Sequence, residues 1–158
     1  SLNQLIGSIP SEIGNLGNLS SLTLSSNELT GEIPLEIGNL MNLTMLKLHT
    51  NNLTGEIPST IGGLINLERL WLHKNQLTGS IPPEIGDLIN LQELILKNNQ
   101  LTGGIPQELG NLQEIRYFDL SFNRSTYKRS NQRFLKNESI SVTSLSQFTK
   151  LELLFIKA

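Results

Sequence analysis

His49 and His73 are the only histidines in the chain and stand 24 residues apart. Two imidazoles held close together can share a metal ion, but a metal site takes three or four protein ligands. No third His, Cys or carboxylate follows at the same interval; the next residue there is Lys97. That leaves solvated surface histidines or a pH-responsive contact, with Lys97 lowering both pKa values by like charge. Trp71 and Ile95 are a second pair at the same interval, with Lys47, Arg69, His73 and Glu93 at neighbouring phases. An aromatic anchor with a polar rim is what a binding hot spot requires, whereas exposed apolar residues also occur singly without a role. The candidate ligand-binding set is therefore Lys47, His49, Arg69, Trp71, His73, Glu93, Ile95, Lys97, Tyr117 and Asp119. Catalysis has little footing. The chain has no Cys, no Gly-x-Ser-x-Gly, no phosphate-binding glycine loop and no His-Glu-x-x-His, so neither a catalytic residue nor a cofactor is expected.

These residues share an interval because the whole chain does. Asn3, Asn27, Asn51, Asn75, Asn99 and Asn123 recur every 24 residues, and so do Gly7 to Gly103, Pro10 to Pro106 and Leu24 to Leu120. A fixed period of this size marks a solenoid. Leu22 and Leu24 alternate with Ser21, Thr23 and Ser25, which predicts a short strand with one buried face. An Asn fixed at the strand's end suits an amide that satisfies backbone groups where the ladder stops. The proline of Gly-x-Ile-Pro ends extended pairing, and Glu12, Glu36, Glu84 and Glu108 suit the first turn of a short helix. With equivalent positions about 4.8 Å apart in a stack, the outward columns become stripes: Ser21, Met45, Arg69, Glu93, Tyr117; then Thr23, Lys47, Trp71, Ile95, Asp119; then Ser25, His49, His73, Lys97, Ser121.

The run Leu22-Thr23-Leu24-Ser25-Ser26-Asn27-Glu28-Leu29 resembles the leucine-rich-repeat pattern L-x-x-L-x-L-x-x-N-x-L. Its continuation Leu-Thr-Gly-x-Ile-Pro resembles the plant-type subclass found in receptor-like kinase and receptor-like protein ectodomains and in polygalacturonase inhibitors. The resemblance implies an α/β repeat solenoid, a horseshoe with a parallel sheet on its inner face and short helical segments outside. It also implies a module that recognises a protein or peptide, mainly extracellular or at the cell surface, with cytoplasmic as the alternative. The competing functions are a secreted inhibitor of a cell-wall enzyme and a structural or ice-binding-type array. The last would use the threonine column Thr30, Thr54, Thr78, Thr102.

Residues 1–123 form the repeats, 124–141 a basic insertion or loop, and 142–158 a degenerate, truncated sixth repeat. The sixth repeat is expected because Leu145, Phe148, Leu151, Leu154 and Ile156 reproduce the spacing of Ile13, Leu16, Leu19, Leu22 and Leu24. A tail outside the repeat is the alternative. The start inside a repeat, without capping ends, reads as a fragment of a longer protein. Such a parent is free to be membrane-anchored or to carry a kinase domain, although no segment here is apolar enough to enter a membrane. Residues 1–123 carry 5 Lys and Arg against 12 Asp and Glu, and residues 124–158 carry 7 against 2. A nucleic-acid partner is not expected of a chain with a pI near 5.7. Five Asn-x-Ser/Thr tripeptides occur, at Asn18, Asn42, Asn52, Asn123 and Asn137.

Overall fold

The computed structural model describes residues 4–124 and, by backbone alone, the short strands at 128–129, 132–133 and 140–141. In chain order the strands are β1 (Ile6–Ser8), β2 (Ser21–Thr23), β3 (Glu28–Thr30), β4 (Met45–Lys47), β5 (Arg69–Trp71), β6 (Glu93–Ile95), β7 (Tyr117–Asp119), β8 (Lys128–Arg129), β9 (Gln132–Arg133) and β10 (Ile140–Ser141). Strands β2, β4, β5, β6 and β7 pair in parallel, one per repeat. Register joins Leu22, Leu46, Leu70, Leu94 and Phe118 in a single row. The chain therefore builds the expected leucine-rich solenoid. Leu48, Leu72 and Leu96 form a second inward row with no exposed surface.

Each rung leaves the sheet through two backbone turns. The residue before each ladder asparagine is left-handed at Ser26, Thr50, Lys74, Asn98 and Phe122, with φ between 53° and 58°, and Gly31, Gly55, Gly79 and Gly103 repeat the turn at 72° to 77°. Glycine takes such a φ without steric cost. A five-residue 3-10 turn follows, at Ser11–Asn15, Leu35–Asn39, Ser59–Gly63, Pro83–Asp87 and Gln107–Asn111, each entered from a proline. Stacking is close here. A Cβ at Gly62 would sit 2.8 Å from the carbonyl oxygen of Glu84, so the glycine is required by proximity and not by its φ.

The ladder asparagines bind three segments at once. Asn51 accepts from the Leu29 N–H at 3.1 Å and donates to the Leu24 and Leu48 carbonyls at 2.9 and 3.0 Å. Asn75 and Asn99 repeat the pattern one and two rungs on.

Two features go beyond the sequence reading. A second parallel ladder runs beside the first, from β1–β3 through bridges at Glu32–Thr54, Glu56–Thr78 and Ser80–Thr102. Its inward residues Leu29, Leu53, Leu77 and Leu101 are buried. Within the expected loop, β8 and β9 form an antiparallel pair, and β10 lies antiparallel on β7, with Ile140 opposite Phe118. The expected sixth repeat at 142–158 lies outside the described residues.

Candidate functional site

The pleat that turns Leu46, Leu70 and Leu94 inward turns their neighbours outward. Register then sets Lys47 beside Trp71, Trp71 beside Ile95 and Ile95 beside Asp119, with Met45, Arg69, Glu93 and Tyr117 in the parallel stripe. Trp71 is the centre. Its indole Nε1–H donates to Glu93 Oε2 at 2.9 Å, and Arg69 Nε lies 3.5 Å from the other oxygen of that carboxylate. The Lys47 ammonium sits 3.9 Å from the centroid of the tryptophan ring, an attractive cation–π placement. Held at its edge and on one face, the half-buried Trp71 is an ordered anchor whose rotamer is fixed before any partner arrives.

His49 and His73 follow the ends of β4 and β5 and stack face to face, centroids 4.3 Å apart and planes within 5°. Trp71 lies tilted against both, at 5.8 and 6.4 Å. Burial first, then the positive charges of Lys47 and Lys74, lowers the His49 pKa. Burial first, then His49, Lys97 and Lys74, lowers that of His73 to about 4, with Asp119 opposing. The sequence expected a lowering by Lys97, but desolvation leads. His73 Nδ1 is buried without a hydrogen-bond partner, consistent with a neutral ring. Among the described residues no group of three or more His, Cys, Asp or Glu is placed to hold a metal.

The sign of the resulting pH effect is determined. The folded His73 resists a proton that the unfolded chain accepts from about pH 6.5 downwards, so this residue's contribution to stability is full above pH 6.5 and is lost as pH falls towards 4. His73→Gln should flatten the decline in stability across that window relative to the unmodified chain. Denaturant midpoints measured at pH 7, 5.5 and 4.5 check this, and parallel declines for the two proteins would refute it.

Two of the ten expected site residues are corrected. Ile95 is only 9% exposed and Asp119 is fully buried, so neither offers free surface to a partner. Ile95 is in register between Trp71 and Asp119, and with such neighbours one strand spacing away on either side little of an isoleucine reaches solvent. Asp119 Oδ1 accepts from the backbone N–H and the hydroxyl of Ser121 at 3.1 and 2.7 Å. Its Oδ2 lies 3.2 Å from Lys97 Nζ, an ion pair without hydrogen-bond geometry. Lys97 is thereby partly neutralised. Lys47, His49, Arg69, Trp71, His73, Glu93 and Tyr117 are half-buried and brought together.

The sequence reading missed an open polar cleft of about 630 Å³ beside the starts of β4, β5 and β6, lined by Asn42, Thr44, Asn66, Glu68, Asn90, Gln92 and Glu114. The signal was the column Asn18, Asn42, Asn66, Asn90. The last three donate to the carbonyls of Gly17, Met41 and Ile65 on the preceding rung.

A family model described as a leucine-rich repeat region matches residues 7–158. None of the curated protein sequences matches significantly. Among solved structures, the Arabidopsis receptor kinase HAESA, in complex with the peptide hormone IDA and the co-receptor SERK1, is 42% identical with a TM-score of 0.77, over 80% of this chain and 21% of that one. The ectodomain of the receptor kinase SOBIR1 from Arabidopsis thaliana is 36% identical with a TM-score of 0.71, over 75% of this chain and 64% of that one. A plant ice-binding protein is 41% identical with a TM-score of 0.72, over 77% and 39%. The chain spans about a fifth of the length of the first receptor structures it matches.

Proposed function

This chain belongs to the leucine-rich-repeat family, and from that premise we propose that it is a non-catalytic recognition module that binds a protein or peptide on its strand face. The parent is a receptor-like kinase or receptor-like protein of the cell surface, and this segment lies in its extracellular part. The observation that carries the reading is the ordered Trp71, fixed by Glu93 and covered on one face by Lys47, with Arg69, His49 and His73 around it. Similar chains support it: HAESA is complexed with a peptide hormone, and so is RGFR1, 37% identical, with RGF2. No helix among the described residues is long and apolar enough to cross a membrane. The strand face mixes Lys, Arg, Trp, His and Glu. Such a mixture suits one shaped partner, whereas adsorption to a lattice needs the same small residue on every rung.

Trp71→Ala should weaken binding by about 2 kcal/mol or more. Lys47→Ala and Arg69→Ala should mainly slow association and reduce its salt dependence. Glu36→Ala and Glu108→Ala, on the 3-10 turns, should change little. The measurement is surface plasmon resonance, which reads both affinity and association rate, with a peptide or protein partner selected by surface display, at low and high salt. Unchanged affinity for Trp71→Ala, together with a loss for the two Glu variants, would move the site to the opposite side.

A further inference from the structure

Four of the five Asn-x-Ser/Thr tripeptides have their asparagine among the described residues: Asn18, Asn42, Asn52 and Asn123. Such a tripeptide accepts an oligosaccharide from a lipid-linked diphosphate donor in the secretory pathway. The asparagine Nδ2 bonds to the anomeric carbon, and the bond from that carbon to the phosphate oxygen breaks. The lipid diphosphate leaves, and Nδ2 loses one proton to the transferase. No oxidation state changes. The product amide keeps a single N–H, so an asparagine whose native contacts use both cannot be glycosylated and native together.

The four positions divide on this count. Asn123 uses both hydrogens, donating to the Leu96 and Leu120 carbonyls at 3.1 and 2.9 Å, while its oxygen takes the Leu101 N–H at 3.1 Å. Asn42 is exposed and donates once, to the Gly17 carbonyl at 2.8 Å. Asn18 and Asn52 are exposed and make no side-chain hydrogen bond among the described residues. Asn52 is tied down only by its backbone N–H, to the Leu29 carbonyl. We infer that Asn18, Asn42 and Asn52 carry N-linked glycans in the folded protein and that Asn123 does not. Asn42 precedes β4 and Asn52 follows it. Neither asparagine lies on β4 or β5, the strands that carry Lys47, Arg69 and Trp71. In the native setting the assignment rests on the extracellular reading.

The test separates the two readings. The chain is secreted from insect cells behind a foreign signal peptide, so that acceptor chemistry is measured whatever the native compartment. The folded monomer is digested with a peptide-N-glycosidase in heavy-oxygen water, which marks each glycosylated Asn as labelled Asp, and its peptides are read by mass spectrometry. Label at Asn18, Asn42 and Asn52 with none at Asn123 is the expected map. Label at Asn123 in the folded monomer, or any of the other three unlabelled, overturns the assignment. Asn42→Gln and Asn52→Gln should each remove one glycan-dependent mobility step, and Asn123→Gln none. Should Asn123→Gln fail to fold, the map of the unmodified chain still decides. Loss of the Trp71 binding effect would leave this map intact, so the partner face and the glycan assignment fail separately.

Discussion

Asn75→Ala is expected to lower the stability of the repeat body by roughly 3 kcal/mol or more, since a buried polar group deprived of its partner costs about 1–3 kcal/mol. Three backbone groups lose their partner together. Asn75 Oδ1 accepts from the Leu53 N–H at 3.1 Å, and Nδ2 donates to the Leu48 and Leu72 carbonyls at 3.1 and 3.0 Å, all in buried surroundings. These contacts join its own rung to the preceding one at the end of both ladders, so the loss falls on the coupling between repeats that holds a solenoid together. Asn75→Asp keeps the acceptor but removes both donors and brings a charge into a site that is 9% exposed, and it should be no milder. Asn27→Ala is the internal comparison. Among the described residues Asn27 accepts from Leu5 but donates only within its own rung, to Leu24 and Ser25, so the cost there should be smaller. Urea denaturation of the three variants checks the order. A change within about 0.5 kcal/mol for Asn75→Ala, the range of ordinary surface substitutions, would show that the amide ladder contributes little.

Leu72→Ala is expected to cost roughly 2–5 kcal/mol, the range for opening a cavity in a core that relaxes only partly. Leu72 has no exposed surface, and neither do Leu48 and Leu96 in the same column on the adjoining rungs. Relaxation is restricted because the rungs are tied by hydrogen bonds on both sides: Leu48 N–H to the Trp71 carbonyl and Leu72 N–H to that of Ile95, each at 2.9 Å. Leu24→Ala, at the first full rung and only partly buried, should lose less. Because Trp71 immediately precedes Leu72, the same change should loosen the indole that Glu93 orients. Thermal unfolding gives the stability order, and tryptophan fluorescence gives the loosening, since Trp71 is the only tryptophan. Equal losses for Leu24→Ala and Leu72→Ala would mean that the central rungs are no better packed than the end.

The period of 24 was sufficient to predict the strands, the inward leucines and the role of the asparagines. In a stack each rung repeats the backbone of the last, so a column's residue type reports one environment sampled five times. The same logic placed Phe118 with the leucines, and it lies in register with Leu94. It gave no warning of the second ladder. There the pairing of Thr54 with Glu32 and of Thr78 with Glu56 uses backbone groups of a segment whose side chains read as a turn. The antiparallel seat of β10 on β7 was equally hidden, because it joins residues beyond the repeat to its last regular strand.

What the sequence by itself determined is which residues share a face, because alternation along a strand and a constant period assign every side chain a direction. It named the stripes that hold Lys47, Arg69, Trp71, His73 and Glu93. Only the tertiary structure decided what those side chains do to one another. Trp71 donates to Glu93 across one rung, His49 and His73 stack, and Ile95 and Asp119 are buried. Each outcome depends on rotamers and on how neighbours of unequal size fill a spacing of about 4.8 Å. A column pattern fixes the direction of a side chain, whereas its exposure and its partner depend on the volumes packed around it.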